Sequence, residues 1–207
     1  INGEFVGLHE NGVMAFGYDI TDKVKIAPAN NVIAIRTDNS WDYCEKSTNT
    51  RFQWNNNNFN ANYGGIPKNT WLHITDKLYQ TLPLFNTLGT TGQYIYARNI
   101  DIKNKSADIT AETQVKNEYS TSRKFQYIVH IKDMDNKVIT TLNGGEIEIA
   151  AGEAKTVSAS AHIDGLHFWS WGYGYLYKLT PIFKVGDSII DVVTTRTGFR
   201  KTEFANG

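Results

Sequence analysis

Cysteine is almost missing. Cys44 is the single thiol in 207 residues, so no disulfide can form within the chain and no multi-cysteine zinc site can be built. A lone thiol reads as a small packed side chain rather than a nucleophile. Net charge is missing too, because 21 basic and 21 acidic residues cancel. That removes the electrostatic case for nucleic acid or an anionic membrane as partner. Long apolar runs are also absent: the longest candidate, residues 188–193, is strand-sized and far too short to span a bilayer. The chain opens on Ile1 with neither a basic n-region nor an apolar h-region, and reads as an excised segment whose targeting signal would lie outside it.

Several motifs are lacking as well. No window of twelve residues keeps a helical period, and no repeat recurs at solenoid or propeller spacing. No glycine-rich dinucleotide or phosphate loop occurs, and no Gly-x-Ser-x-Gly elbow. The five histidines, His9, His73, His130, His162 and His167, form no zinc motif. Asp133-Met134-Asp135-Asn136 resembles the start of a calcium loop, but the required Gly and closing Glu are missing, so it reads as a hairpin turn. Neither a metal site nor a cofactor follows from the sequence.

What is present is strand character. Residues 4–9 and 31–37 are short β-branched runs bounded by turn residues, and residues 70–84 read the same way. Between them, residues 41–62 are rich in Asn, with little to fill a core; a loop of that length is often functional. Residues 86–92 are rich in Gly, Thr and Asn and make a plausible linker, which puts a domain boundary near residue 90.

Beyond the linker the alternation sharpens. Ile109, Ala111, Thr113 and Val115 share one face, as do Phe125, Tyr127, Val129 and Ile131. Residues 138–142, 146–149 and 155–162 add short runs, and residues 175–184 and 188–195 flank Val185-Gly186-Asp187 as a hairpin. About seven short strands at roughly ten-residue spacing suggest an immunoglobulin-like sandwich.

Glycoside hydrolysis needs two carboxylic acids flanking the scissile bond, and sequence spacing cannot certify such a pair. Asp19, Asp22, Asp38 and Asp42 sit near turns, where Asp normally bends the backbone. The stretch Phe168-Trp169-Ser170-Trp171-Gly172-Tyr173-Gly174-Tyr175 has two readings. Its rings could stack on a sugar, or they could pack at a sandwich edge or domain contact, which is the commoner use of aromatic side chains.

At this point a family resemblance enters. Asn2-Gly3, then Val6-Gly7-Leu8-His9, then Phe16-Gly17-Tyr18-Asp19-Ile20-Thr21 resemble the sugar-binding jelly-roll domain of family 2 glycoside hydrolases, the β-galactosidase type. Residues 30–36 with Asp38-Asn39-Ser40 match its next strand and exit loop. Tyr63-Gly64-Gly65-Ile66 with Trp71-Leu72 resemble its closing element, with Pro67 and Lys68 departing from the common pattern. Phe168-Trp169-Ser170, Tyr175-Leu176-Tyr177 and Thr195-Arg196-Thr197-Gly198-Phe199-Arg200 resemble signatures of the family's immunoglobulin-like domain.

The resemblance implies an all-β chain. Residues 1–90 would be the C-terminal part of a jelly roll, and residues 91–207 an immunoglobulin-like β-sandwich leading toward a (β/α)8 barrel that lies outside the chain. In the family that barrel carries both catalytic acids, so no catalytic residue is assigned here. A jelly-roll loop reaches the active site in relatives, and its counterpart makes Asn58, Asn60 and Asn62 the substrate-binding candidates. A solvated Asn loop explains these residues equally well.

The implied function is a non-catalytic accessory region of a retaining exo-β-glycosidase, most of all a β-galactosidase, inactive alone. Its partners would be a β-linked glycoside and the barrel in the same polypeptide; an oligomer stays open. The alternative is a stand-alone carbohydrate-binding or structural sandwich.

Overall fold

The computed structural model describes residues 1–10, 14–40, 42–51, 64–66 and 68–204. Among them there is no helix. The chain is all-β, as the alternation predicts. It divides into two compact units: Ile1–His73 with Asn86–Leu88, and Ile74–Phe85 with Gly89–Gly207.

The second unit holds nine strands: β1 Leu78–Gln80, β2 Gln93–Asp101, β3 Ser106–Asn117, β4 Arg123–Lys132, β5 Val138–Ile149, β6 Ala154–Ile163, β7 Tyr177–Val185, β8 Ser188–Val192 and β9 Thr195–Thr197. All pairings are antiparallel. In one sheet β3 is central. Strand β6 takes one edge of β3, and β1 and β2 follow one another along the other. In the second sheet β5, β4 and β7 are neighbours, and β8 and β9 share the far edge of β7.

The core forms where the inner faces meet. Ile109, Ala111, Thr113 and Val115 of β3 are fully buried, as are Tyr127, Val129 and Ile131 of β4. The outward neighbours on β3 are polar, and Thr110 Oγ1 meets Ser160 Oγ across the β3–β6 pair at 2.8 Å. Each large apolar side chain so buried contributes about 1.5–3 kcal/mol. Tyr127 keeps a polar atom inside, and its hydroxyl meets Thr113 Oγ1 at 2.8 Å. Burial pushes the Tyr127 phenol up to about 12. Asn117, fully buried at the end of β3, donates from Nδ2 toward the carbonyls of Thr121, Ile149 and Ala150 and accepts from the Tyr119 N–H through Oδ1. One amide therefore satisfies backbone groups from both sheets' connections.

Several strand expectations change. Residues 138–142 and 146–149 form one bulged strand, β5, rather than two runs. The bulge sits where Gly144 passes over the Tyr127 ring, and a Cβ there would lie 2.5 Å from it. Of residues 70–84, just Leu78–Gln80 enter a ladder. Strand β2 was not foreseen, although Tyr94 and Tyr96 alternate within it.

In the first unit, residues 4–9 and 31–37 are not in strands. Among its described residues the one β-bridge joins Cys44 and Arg51. Side-chain amides take the backbone partners instead. Asn2 accepts from Val32 N–H and donates to the Lys23 carbonyl, while Asn31 accepts from Lys25 N–H and donates to the Lys25 carbonyl, all at 2.8–3.0 Å. Asx side chains compete with ladders in this way.

Candidate functional site

The sequence-derived candidates Asn58, Asn60 and Asn62 lie outside the described residues. The loop's exit is described: Gly64 packs so tightly on the Asn39 amide that a Cβ would come within 2.5 Å of it. In the same unit, Glu10 Oε1 accepts from the Tyr43 hydroxyl at 2.5 Å and from Lys46 N–H at 2.9 Å. These bonds hold the Glu10 carboxyl below its ordinary pKa and push the Tyr43 phenol up to about 12. Sequence reading passed over Glu10, which sits in no recognisable motif.

The Val-Gly-x-His element has a packing reason. Gly7 lies under the Tyr18 ring, where a Cβ would sit 2.2 Å from it. His9 stacks on Phe16 with centroids 4.3 Å apart, and Phe16 meets Tyr18 edge-on at 6.0 Å. His9 Nε2 and Tyr18 Oη are buried with no hydrogen-bond partner among the described residues.

The turn aspartates build turns. Asp19 accepts from Thr21 N–H and Oγ1–H, and Asp38 accepts from Ser40 N–H and Oγ–H. The hydroxyl bonds chiefly lower both carboxyls' pKa values. Asp133 Oδ1 accepts from the N–H groups of Asp135 and Lys137, closing the β4–β5 turn that the sequence predicts. Asp191 behaves differently: burial raises its pKa. Its oxygens accept from Gln80 N–H at 2.6 Å and Val192 N–H at 2.8 Å, so it ties β8 to β1 across the sandwich edge.

Within the aromatic stretch Phe168, Trp169 and Tyr175 are partly buried, and the fully buried rings lie just beyond it. Tyr177 is 1% exposed and Phe199 3%, with centroids 5.7 Å apart, while Trp171 is 95% exposed. Trp171 and Gly172 form the tip of a hairpin closed by two Ser170–Tyr173 backbone bonds. The base is anchored by Trp169 N–H to the Phe199 carbonyl at 2.7 Å and by the Arg200 guanidinium 5.6 Å from the Trp169 ring centroid. Gly198 fits beneath, where a Cβ would lie 3.1 Å from Trp169 and Leu176. The signature residues 168–170, 175–177 and 195–200 are thus one packed corner. Beside it His167 stacks on Tyr175 at 4.6 Å, its Nδ1 meets the Tyr173 hydroxyl at 3.0 Å, and its N–H donates to the Tyr177 hydroxyl at 2.7 Å.

His167, Tyr175 and Tyr177 line a pocket of about 160 Å³ together with Asp133, Ile139, Ile163, Asp164 and Gly165. The two aspartates do not make a hydrolytic pair. The Asp164 side chain is 85% exposed, and Asp133 is committed to its turn. A general acid needs the water-excluded setting that both lack.

Residues 94–200, just over half of the chain, match the family described as "Glycosyl hydrolases family 2". The chain belongs to that family. It is 33% identical over 205 residues to a β-glucuronidase of Formosa agariphila, covering 99% of this chain and 20% of that enzyme. It is 26% identical over 201 residues to the β-galactosidase BoGH2A of Bacteroides ovatus, covering 97% of this chain and 21% of the relative. Among solved structures, a family 2 β-glucuronidase superposes with a TM-score of 0.79 at 30% identity, covering 95% of this chain and 20% of that one. The chain therefore spans about a fifth of the length of the relatives it matches. Family 2 membership gives the packed corner its meaning, since residues 168–170, 175–177 and 195–200 all fall within the matched region.

Proposed function

We propose that this chain is a non-catalytic accessory region of a family 2 exo-β-glycosidase. On this reading residues 1–90 form part of a sugar-binding jelly roll, and residues 91–207 an immunoglobulin-like sandwich that braces a catalytic barrel. The observation that carries it is similarity along 99% of this chain to a fifth of a β-glucuronidase, combined with an all-β structure in which Asp133 serves a turn and Asp191 a strand edge. Retaining hydrolysis would then be performed by two carboxylic acids on the barrel. Asn58, Asn60 and Asn62 are the candidates for contact with sugar hydroxyls, because an amide both donates and accepts without charge.

For the sugar, identity of 33% to a β-glucuronidase against 26% to a β-galactosidase favours a β-glucuronide. The neutral, Asn-rich loop favours the β-galactoside reading. Expressing the reading frame that contains this chain and assaying nitrophenyl β-glucuronide beside nitrophenyl β-galactoside decides between them. Turnover of neither would defeat the proposal.

A further inference from the structure

A rigid hairpin holds Trp171 out in solvent, 95% exposed. Ser170 and Tyr173 exchange both backbone bonds, at 2.9 and 3.0 Å, and Gly172 takes the positive φ of 78° that the tip requires. Below the tip the Tyr173 hydroxyl meets His167 Nδ1 at 3.0 Å, and the Leu166 N–H ties the segment to the Lys105 carbonyl at 2.7 Å. A slack loop would let such a ring fold back onto the surface; this geometry holds it away. Large rings fixed in advance make good interface anchors, because little further ordering is needed when they bind.

The place of the hairpin names its occupant. The Trp169 N–H holds the Phe199 carbonyl at 2.7 Å and the Arg200 guanidinium lies 5.6 Å from the Trp169 ring centroid, so the chain leaves the sandwich from the base of this hairpin. Phe204 comes four residues later, within about 14 Å of Arg200 even on a fully extended chain, and is 94% exposed. The chain spans about a fifth of the relatives it matches. In a longer protein, a domain built on the polypeptide after residue 207 starts beside these two rings. A second copy fits them poorly. Two rings of roughly 150–250 Å² each and a half-exposed Tyr173 fall short of the ~800 Å² per partner that a stable association buries. A covalently attached domain needs far less area, because its effective concentration is already about millimolar.

We propose that Trp171 and Phe204 form the docking point for the domain that continues this polypeptide beyond residue 207, with Trp171 inserted into an apolar recess of that domain. This rests on the reading of the chain as an accessory region of a longer enzyme, and adds which side chains make the brace.

The test uses the longer protein carrying Trp171→p-benzoylphenylalanine, irradiated and mapped by mass spectrometry. Crosslinks are expected to residues beyond 207 of the same polypeptide. Crosslinks to polypeptide preceding residue 1, to residues 1–207 alone or to a second molecule overturn the proposal, as does the absence of any crosslink. Hydroxyl-radical footprinting reads the unsubstituted protein. Trp171 should be oxidised several-fold more slowly in the longer protein than in the 207-residue chain, and equal rates overturn the proposal. Turnover of the two nitrophenyl glycosides by the same preparation is read separately. Turnover with Trp171 unprotected defeats the docking point and leaves the glycosidase reading standing, whereas protection without turnover does the reverse.

Discussion

The two units read alike as sequence and differ as structure. Residues 31–37 alternate β-branched side chains much as residues 109–115 do. Ile109 and Val115 are fully buried, yet Ile33 is 63% exposed and Ile35 59%. The difference is neighbours. Strand β3 has partners along both edges, whereas the Val32 backbone bonds to Asn2 alone, through its N–H to the Asn2 side chain and its carbonyl to the Asn2 N–H, among the described residues. Alternation states which face a strand would bury; pairing decides whether there is a strand to bury it.

Substitutions can break that contrast. Tyr127→Ala should have the largest effect, about 3–5 kcal/mol of stability lost, because it empties the sandwich centre and strands the Thr113 hydroxyl. Urea denaturation followed by tryptophan fluorescence reads this as a lowered midpoint. Asn117→Ala should cost about 2–3 kcal/mol by leaving buried carbonyls without a donor, and the same transition measures it. Ile35→Ser in the first unit should stay within about 0.5 kcal/mol. A loss there comparable to Tyr127→Ala would mean that the exposed run is packed in solution.

Asp191 sharpens the contrast through pH. Burial raises its folded pKa above the unfolded value, so between those two values the folded state holds the proton more tightly. Stability should therefore fall as pH rises from about 4 through the folded pKa, where the buried carboxylate becomes charged. In Asp191→Asn that part of the slope should vanish from urea midpoints taken at successive pH values.

Much of the second unit was legible. The faces of β3 and β4, the Asp133 turn and the 185–187 hairpin follow from period and turn chemistry alone. The β5 bulge was not, because the need for Gly144 comes from the Tyr127 ring on another strand. Strand β2 has no clean alternation to read, because its tyrosines are interleaved with residues of mixed polarity on a half-buried edge. Of the aromatic stretch, Phe168, Trp169 and Tyr175 are partly buried while Trp171 and Tyr173 are exposed, a division that depends on three-dimensional packing and has no signal in the sequence. The pocket was hidden because it joins Asp133, Ile139, Ile163 and Tyr177 from four separate strands or turns.

The account rests on the chain being a support whose chemistry belongs elsewhere. Incubating the purified 207-residue chain with nitrophenyl β-glucuronide and nitrophenyl β-galactoside tests this directly. Nitrophenol release should match the protein-free blank for both substrates. Release that co-purifies with the chain and disappears on Asp133→Asn or Asp164→Asn would contradict it.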